Sequence, residues 1–482
     1  MLAIAMASFA VGTVVRVFAA QNDLWFDEVW TLELLRERVH SFGDVFNNIK
    51  HSNNHHLVSL WMWLVGQNAS AFVYRIPSVL ASIGTVAVAG FIGARRSWLE
   101  AYSAVTLTSW SYLLIHYGTE ARGYSLAIFF SLLAWGALQQ FQERRSWFWT
   151  IVFWSAVVLG FLAHLEFAVC FAGLMVWALW RFVHDRSKWR EGVLDLLALF
   201  TVPVVLLLAF YFVAVRGMEV GGGPEYQVKP LLIETASYML GGPANGAAAG
   251  IAAVLALASI YVALVYLVFE RDDRWIFYAV VIVAPLGLIP ILLLVPLSVR
   301  YFIITVAATF VLLSSGFAAL LRRTQARLFI GLTLLALFVA GNVVHTINLL
   351  RFGRGQYLAA LRFMETHSNS REVVITSDHD FRNGMLVSYY KRYLEHPDHV
   401  RYVDAAALRE EYLRTNGSSS GAEWLILHRF DRREQPERMT DHFGNNYQLM
   451  TVYRYSDLSG WNWLLYHNLN RPPGARHTPL SN

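Results

Sequence analysis

Charge is scarce in this sequence. Asp, Glu, Lys and Arg make up 15% of its 482 residues, against about 25% in an average soluble protein. With 56% hydrophobic residues and a mean hydropathy of +0.40, an ordinary soluble enzyme is excluded. Aromatic residues at 15% exclude a disordered chain, which would be poor in them. Cysteine is nearly absent. Cys170 stands alone in an apolar stretch, so there is no intrachain disulfide and no cysteine-based metal site; it reads as inert filler. The net charge of +5 is too mild to call for a nucleic-acid partner, and what matters is where the charges sit. No nucleotide-binding Gly-rich loop, internal repeat or low-complexity tract stands out.

Long apolar runs are abundant. A bilayer core needs roughly 20 apolar residues per helix, and eleven stretches qualify: 2–20, 76–94, 99–117, 121–141, 147–165, 167–183, 194–215, 246–269, 275–297, 302–321 and 328–349. The first has no basic segment before it, and its only charge is Arg16; it reads as a retained signal-anchor helix rather than a cleaved signal peptide. Direction follows from Lys and Arg in short loops. One side holds Arg95, Arg96, Arg144, Arg145, Arg181, Arg186, Lys188, Arg190, Arg271, Arg274, Arg322, Arg323 and Arg327, the other only Arg122, Arg216, Lys229 and Arg300. The first side is therefore cytoplasmic, and with an odd number of spans the N-terminus is inside and the C-terminus outside. The expected protein is mainly α and polytopic. A transmembrane module covers 1–349, with outer segments at 21–75 and 216–245, the latter carrying Gly221–Pro224 and Gly241–Pro243. The tail, 350–482, is polar. Strand-like runs at 372–376 and 424–427 and helix-like runs at 355–366 and 384–394 make it a small extracytoplasmic α/β domain, with 471–482 expected to be disordered. The expected location is a plasma (inner) membrane.

Spans two to eleven carry almost no ionisable residue near mid-span, where coupled transporters place theirs. The ionisable groups gather at outer helix ends instead: Asp27, Glu28, His55, His56, Arg75, His116, Glu120, Arg122, His164, Glu166 and Arg300. Acids, bases and cations at a lipid–water boundary describe a reaction site better than a permeation path. The alternative class is a lipid or solute transporter without catalytic activity.

Three clusters carry the chemistry. Asp23–Thr31 sets Asp27 and Glu28 among Trp25, Phe26 and Trp30, where partial desolvation would make a carboxylate a stronger base. The plainer reading is an acidic pair favoured by a helix N-terminus. The apolar positions that follow (Val29, Leu32, Leu35, Val39, Phe42, Phe46) have helical spacing and suggest a helix lying flat on the membrane. Asn53-Asn54-His55-His56 precedes an apolar half-helix; the plainer reading is a cap with exposed histidines, the sharper one a His near a phosphate. His116–Tyr124 is a tight outer turn in which Glu120 and Arg122 are either a surface pair of little energetic value or a functional exception to the charge rule. Arg300-Tyr301 repeats the case.

These motifs resemble those of the GT-C superfamily of integral-membrane glycosyltransferases, in its bacterial branch related to protein O-mannosyltransferases and the lipid A aminoarabinose transferase. Asp27-Glu28 with Trp30-Thr31 is similar to the Asp-Glu motif of the first outer loop. Asn53-Asn54-His55 with Leu57 resembles the segment closing that loop, although many relatives have a Pro soon after the histidine. Arg75-Ile76-Pro77-Ser78, Tyr117 with Glu120–Tyr124, and Arg300-Tyr301 complete the set. The resemblance covers residues 1 to about 349, and the tail matches only as an external domain. It implies a polyprenyl-phosphate sugar donor delivered from the membrane, and a lipid, glycan or protein acceptor in the cell envelope.

On that reading an acceptor hydroxyl attacks the anomeric carbon as the lipid phosphate departs, with inversion. Asp27 is the candidate base, and Glu28 or Glu120 would orient the acceptor or share the proton. Arg300 and Arg122 would hold the phosphate bidentately, helped by Arg75, His55 and Tyr301. Trp25, Asn54, Tyr117 and Tyr124 would line the acceptor or sugar pocket. No cofactor is certain; a divalent metal held by Asp27, Glu28 and His55 is an open alternative.

Overall fold

The computed structural model describes residues 2–184, 189–219, 227–287, 298–322, 324–368, 372–415, 421–429, 436–458 and 462–470. Gly221–Pro224 and the expected disordered end, 471–482, lie outside these. The chain divides into two compact units: Met1–Gln21 with Leu34–Ile347, and Asn22–Glu33 with Asn348–Asn482.

The first unit is helical. Each of the eleven apolar stretches contains helix, and among the described residues eight helices are long and apolar enough to cross a membrane. The protein is a multi-pass membrane protein. The other three stretches differ for local reasons. Residues 99–117 break at Ser111 into Trp98–Trp110 and Tyr112–Gly118. Residues 147–165 give a helix of 17 residues, Trp147–Ala163. Residues 275–297 start as Arg274–Tyr278 and a single π turn, Ala279–Val283, and the part beyond 287 lies outside the described residues. Arg300-Tyr301 does open a helix: the 3₁₀ turn Val299–Phe302 leads into Ile303–Arg322.

Two of the basic residues on the expected cytoplasmic side are built into a network. Arg274 is buried, and its Nη2 donates to Asp272 at 2.8 Å while its Nη1 reaches Glu100 at 3.4 Å. Arg96 pairs with Asp272, and the Ser315 hydroxyl donates to Glu100 at 2.9 Å. Charges paired and bonded like this can be kept at a helix end inside the protein. At the other end, the two outer segments join: Ser52 and Glu219 exchange backbone bonds around Lys50, with Ser52 N to Glu219 O at 2.9 Å and Glu219 N to Lys50 O at 3.0 Å. The tail of the second outer segment packs on the last long helix, where His345 Nε2 donates to the Gly242 carbonyl at 2.9 Å. A Cβ on Gly241, at φ +80°, would meet the Asn342 backbone at 2.6 Å.

The second unit is α/β, as its sequence suggests. Its strands are β1 (Val373–Ser377), β2 (Val400–Tyr402), β3 (Trp424–Arg429), β4 (Arg438–Thr440), β5 (Asn446–Tyr453) and β6 (Asn462–Asn468). They form one sheet in the order β2-β1-β3-β6-β5-β4. β1 is parallel to both β2 and β3, and β3 turns the sheet antiparallel through β6, pairing Trp424 with His467. β1 is wholly buried, as a strand covered on both faces must be. The helices are Tyr357–Thr366, Asp380–Tyr390 and Ala405–Arg414. The second starts earlier than its apolar pattern suggests, because His379 Nδ1 accepts the Arg382 amide and caps it.

This unit also contains Asn22–Glu33, more than three hundred residues upstream. The Tyr390 hydroxyl donates to the Leu24 carbonyl at 2.7 Å, and the Leu358 amide donates to Asp23 Oδ2 at 3.0 Å. Phe381 meets the rings of Phe26 and Trp30 edge-on, and the Arg382 guanidinium lies over Phe26 at 4.8 Å. The helix carrying Asp27 and Glu28 is therefore Phe26–Arg38, which begins before the pair and ends before Ser41. It is not one flat helix running to Phe46. Its apolar positions Val29, Leu32 and Leu35 are buried inside the protein, whereas Phe42 is exposed.

Candidate active site

In the first unit the motifs interlock. The guanidinium of Arg122 donates to Asn53 Oδ1. The Ser78 hydroxyl donates to the Arg122 carbonyl at 3.0 Å, and the Ser125 hydroxyl to the Ser78 carbonyl at 2.7 Å. The Gly123 amide donates to His55 Nδ1 at 2.9 Å. Thus the Asn-His segment, the Arg-x-Pro-Ser helix and the Glu-Ala-Arg turn are tied by side-chain hydrogen bonds among buried groups, which are costly to leave unmade. Gly123 is where they meet: a Cβ there would lie 1.9 Å from the Ala163 carbonyl oxygen and 2.6 Å from His55 Nδ1.

Because His55 Nδ1 accepts the Gly123 amide, the proton of the neutral ring sits on Nε2. That Nε2–H is buried and has no partner among the described residues. His164 repeats the arrangement. Its Nδ1 accepts the Glu166 amide at 3.1 Å, so its Nε2 is also a donor. The two imidazoles lie 4.7 Å apart, each against the Tyr124 ring at 5.2 and 4.7 Å. Burial, then the charges of Arg122 and neighbouring His164 and Arg300, hold His55 well below the usual imidazole value. Burial, with Arg122 and Arg300, pushes His164 down to about 3. Both rings are neutral at pH 7, so the pair adds two fixed N–H donors to the field of two arginines. His164 Nδ1 and Glu166 Oε2 are 3.8 Å apart, but this is no ion pair, since burial also pushes Glu166 up to about 8 against the amides of Ile304 and Ile303 that bond it.

Glu166 supplies a pH test. Its folded-state value of about 8 lies above the ordinary 4.5, so it lets stability fall as pH rises between these two values. Glu166→Gln removes that slope. Its melting temperature is expected to match the wild type below pH 4.5 and to exceed it by several degrees at pH 8.5; equal melting at both pH values would mean that the carboxyl ionises normally.

Tyr117 packs against His116 and Tyr124, ring to ring at 4.9 and 5.5 Å, and Glu120 Oε1 lies 3.5 Å from His116 Nε2, all buried. Arg300 and Tyr301 stack, 5.5 Å from guanidinium to ring. Arg75 Nη1 donates to the Ala20 carbonyl past the first helix at 3.2 Å, and Asn54 Nδ2 to the Val45 and Ile49 carbonyls at 2.8 and 3.2 Å. His55 and His56 are buried, not exposed caps. His56 packs against Phe46 and Phe210, and burial, then Lys50, brings it to about 4.

Asp27, Glu28 and Trp25 belong to the second unit. Asp27 is 8% exposed and Glu28 fully buried. Glu28 Oε2 accepts the Trp25 amide at 3.0 Å, the reciprocal half of a capping box, and the Asp27 carbonyl accepts the Thr31 hydroxyl at 2.9 Å. The plainer reading thus applies to Glu28, which holds the helix start. Trp25 Nε1 is buried without a partner among the described residues. Among the described residues no group of three or more His, Cys, Asp or Glu is placed to hold a metal ion.

No protein-family model and no curated protein matches this chain. A solved structure does: ArnT from Cupriavidus metallidurans in the apo state, at a TM-score of 0.53 and 12% identity, over 95% of this chain and 97% of that one. The fold is that of ArnT. The structure of ArnT bound to undecaprenyl phosphate matches over the same shares, with a TM-score of 0.51 and 12% identity. At this identity the likeness to ArnT is one of fold. The match to ArnT extends into the sheet-bearing tail, which the motifs do not reach.

Proposed function

We propose that the chain is a glycosyltransferase that moves a sugar from a polyprenyl-phosphate donor to an acceptor hydroxyl at the outer face of the membrane. The observation carrying this reading is the buried His55 Nε2–H with no partner among the described residues, set with His164 in the field of Arg122 and Arg300. Unsatisfied buried donors beside fixed cations suit an anion. The long apolar helices and the ArnT fold, seen elsewhere with undecaprenyl phosphate bound, support a lipid phosphate.

In the proposed step the acceptor oxygen bonds to the anomeric carbon while the bond from that carbon to the phosphate oxygen breaks. The acceptor proton goes to a carboxylate, the role that the motif resemblance gives Asp27. The bonding pair leaves with the polyprenyl phosphate, whose charge Arg122, Arg300 and the imidazole N–H groups take up. One displacement inverts the anomeric centre. Phosphate is a good leaving group, so no general acid is assigned.

The test is direct. Purified protein in lipid nanodiscs is given polyprenyl-phosphate-linked labelled sugars and a membrane-lipid extract. The expected result is labelled acceptor together with free polyprenyl phosphate. Failure to bind polyprenyl phosphate and to transfer any label would end this reading. Within it, Arg300→Ala is expected to raise the dissociation constant for undecaprenyl phosphate about 10- to 100-fold, the scale of one charge-assisted contact. An unchanged constant would remove Arg300 from the phosphate site.

A further inference from the structure

The first span carries a charge that the reaction does not use. Arg16 is 1% exposed, and a buried guanidinium in a membrane helix is expensive and calls for a reason. Its partners supply one. The helix 98–118 is broken at Ser111, which leaves helical space at φ −57°, ψ 117°. A break frees the last carbonyls on one side and the first amides on the other. Arg16 Nη2 and Nη1 donate to the freed carbonyls of Thr108 and Ser109, each at 2.9 Å. On the far side, Asn342 Oδ1 accepts the Tyr112 amide at 2.7 Å, while its Nδ2 donates to the Phe338 carbonyl at 2.9 Å. The Ser111 hydroxyl accepts the Leu114 amide at 3.3 Å. Ser82 closes the knot: it accepts Arg16 Nε at 2.7 Å and donates to the Leu114 carbonyl at 3.4 Å.

We propose that Arg16 and Asn342 are positioning residues: they hold the break at Ser111 and so aim the short helix Tyr112–Gly118 and the Glu120–Arg122 turn that follows it. The first long helix and the last thus fix a segment to which neither is adjacent in sequence. A straight helix through 111 would satisfy the same backbone groups without a buried charge, so the charge is spent on keeping the helix bent. The fit is close on the other side too, since a Cβ on Gly118 would lie 2.3 Å from the Ser82 hydroxyl oxygen. This inference rests on the reading of Arg122 as a phosphate ligand.

The experiment uses the full chain in nanodiscs, with undecaprenyl phosphate as the probe. Hydrogen exchange over residues 108–120 reads the latch without any ligand, and the dissociation constant reads its consequence. Arg16→Met and Asn342→Leu are each expected to speed exchange in this segment and to weaken undecaprenyl phosphate binding about tenfold, with Arg16→Lys recovering part of the loss. Ser82→Ala removes only a hydroxyl and is expected to act in the same direction by about threefold, which keeps the test valid where Arg16→Met does not fold. Because both residues act through one break, Arg16→Met combined with Asn342→Leu is expected to be no worse than the more harmful of the two single changes. Unchanged exchange, faster exchange with unchanged binding, or additive effects would each overturn the inference. A wild-type chain that binds no undecaprenyl phosphate would instead sink the proposed function, and the exchange result would stand apart from it.

Discussion

Asp27→Asn is expected to slow sugar transfer by about 10²- to 10⁴-fold, the usual worth of general-base assistance, while leaving undecaprenyl phosphate binding within twofold of wild type. Asn keeps the shape of Asp, so the first turn of Phe26–Arg38 and the bond from Thr31 to the Asp27 carbonyl survive. Measured together, turnover and donor affinity therefore test the role rather than the fold. Near-normal turnover would strip Asp27 of the assignment. Loss of donor binding would mean that Asp27 acts on the phosphate site instead. The neighbouring Glu28→Gln makes the contrast. Because Glu28 holds the Trp25 amide and the Gln side-chain oxygen can still accept it, this change is expected to leave stability within about 0.5 kcal/mol of wild type, with a much smaller effect on turnover than Asp27→Asn.

What the sequence reveals of this arrangement depends on how local each signal is. Spans are legible because hydrocarbon forces backbone bonds to close within one helix, so composition alone marks them. Short strands such as Val373–Ser377 are legible for the same reason, through β-branched runs between polar turns. The break at Ser111 is not, because a serine in an apolar stretch is ordinary and the bend depends on Arg16 and Asn342, 95 residues before it and 231 after it in the chain. The packing of Asn22–Glu33 with the C-terminal helices escapes for a similar reason: Leu24 and Tyr390 carry no mark of each other. The site shows both cases. Arg122, His55 and Tyr124 stand in recognisable motifs and do come together. Asn53, which holds Arg122, is missed beside Asn54, although both stand in the same run. His164 and Glu166 are visible as polar residues at an outer helix end, but no spacing assigns them a role until the turn at 164–166 sets His164 against His55.

Gly123→Ala should show how tightly those motifs are fitted. The residue has ordinary helical dihedrals, φ −73° and ψ −7°, so alanine carries no backbone strain there. The objection is space alone. The new methyl would sit 1.9 Å from the Ala163 carbonyl oxygen, and no rotamer change moves a backbone atom. Either the helix Tyr124–Arg144 shifts away from Trp147–Ala163, or the His55 bond to the Gly123 amide breaks, since His55 Nδ1 is the other near atom. Overpacking of this kind costs about 1–3 kcal/mol, so the protein is expected to insert and fold with a lowered melting temperature. The functional loss is expected to be larger than the structural one. Once released from the Gly123 amide, the imidazole is free to change tautomer and ring orientation, and Arg122, one residue away, moves with its backbone. Donor affinity should fall at least tenfold and transfer at least a hundredfold. His55→Asn, which can still accept the Gly123 amide through its side-chain oxygen, should retain more of both. If Gly123→Ala bound undecaprenyl phosphate like wild type, the junction of the three motifs would be a packing site only, and the imidazole N–H groups would lose their place in the chemistry.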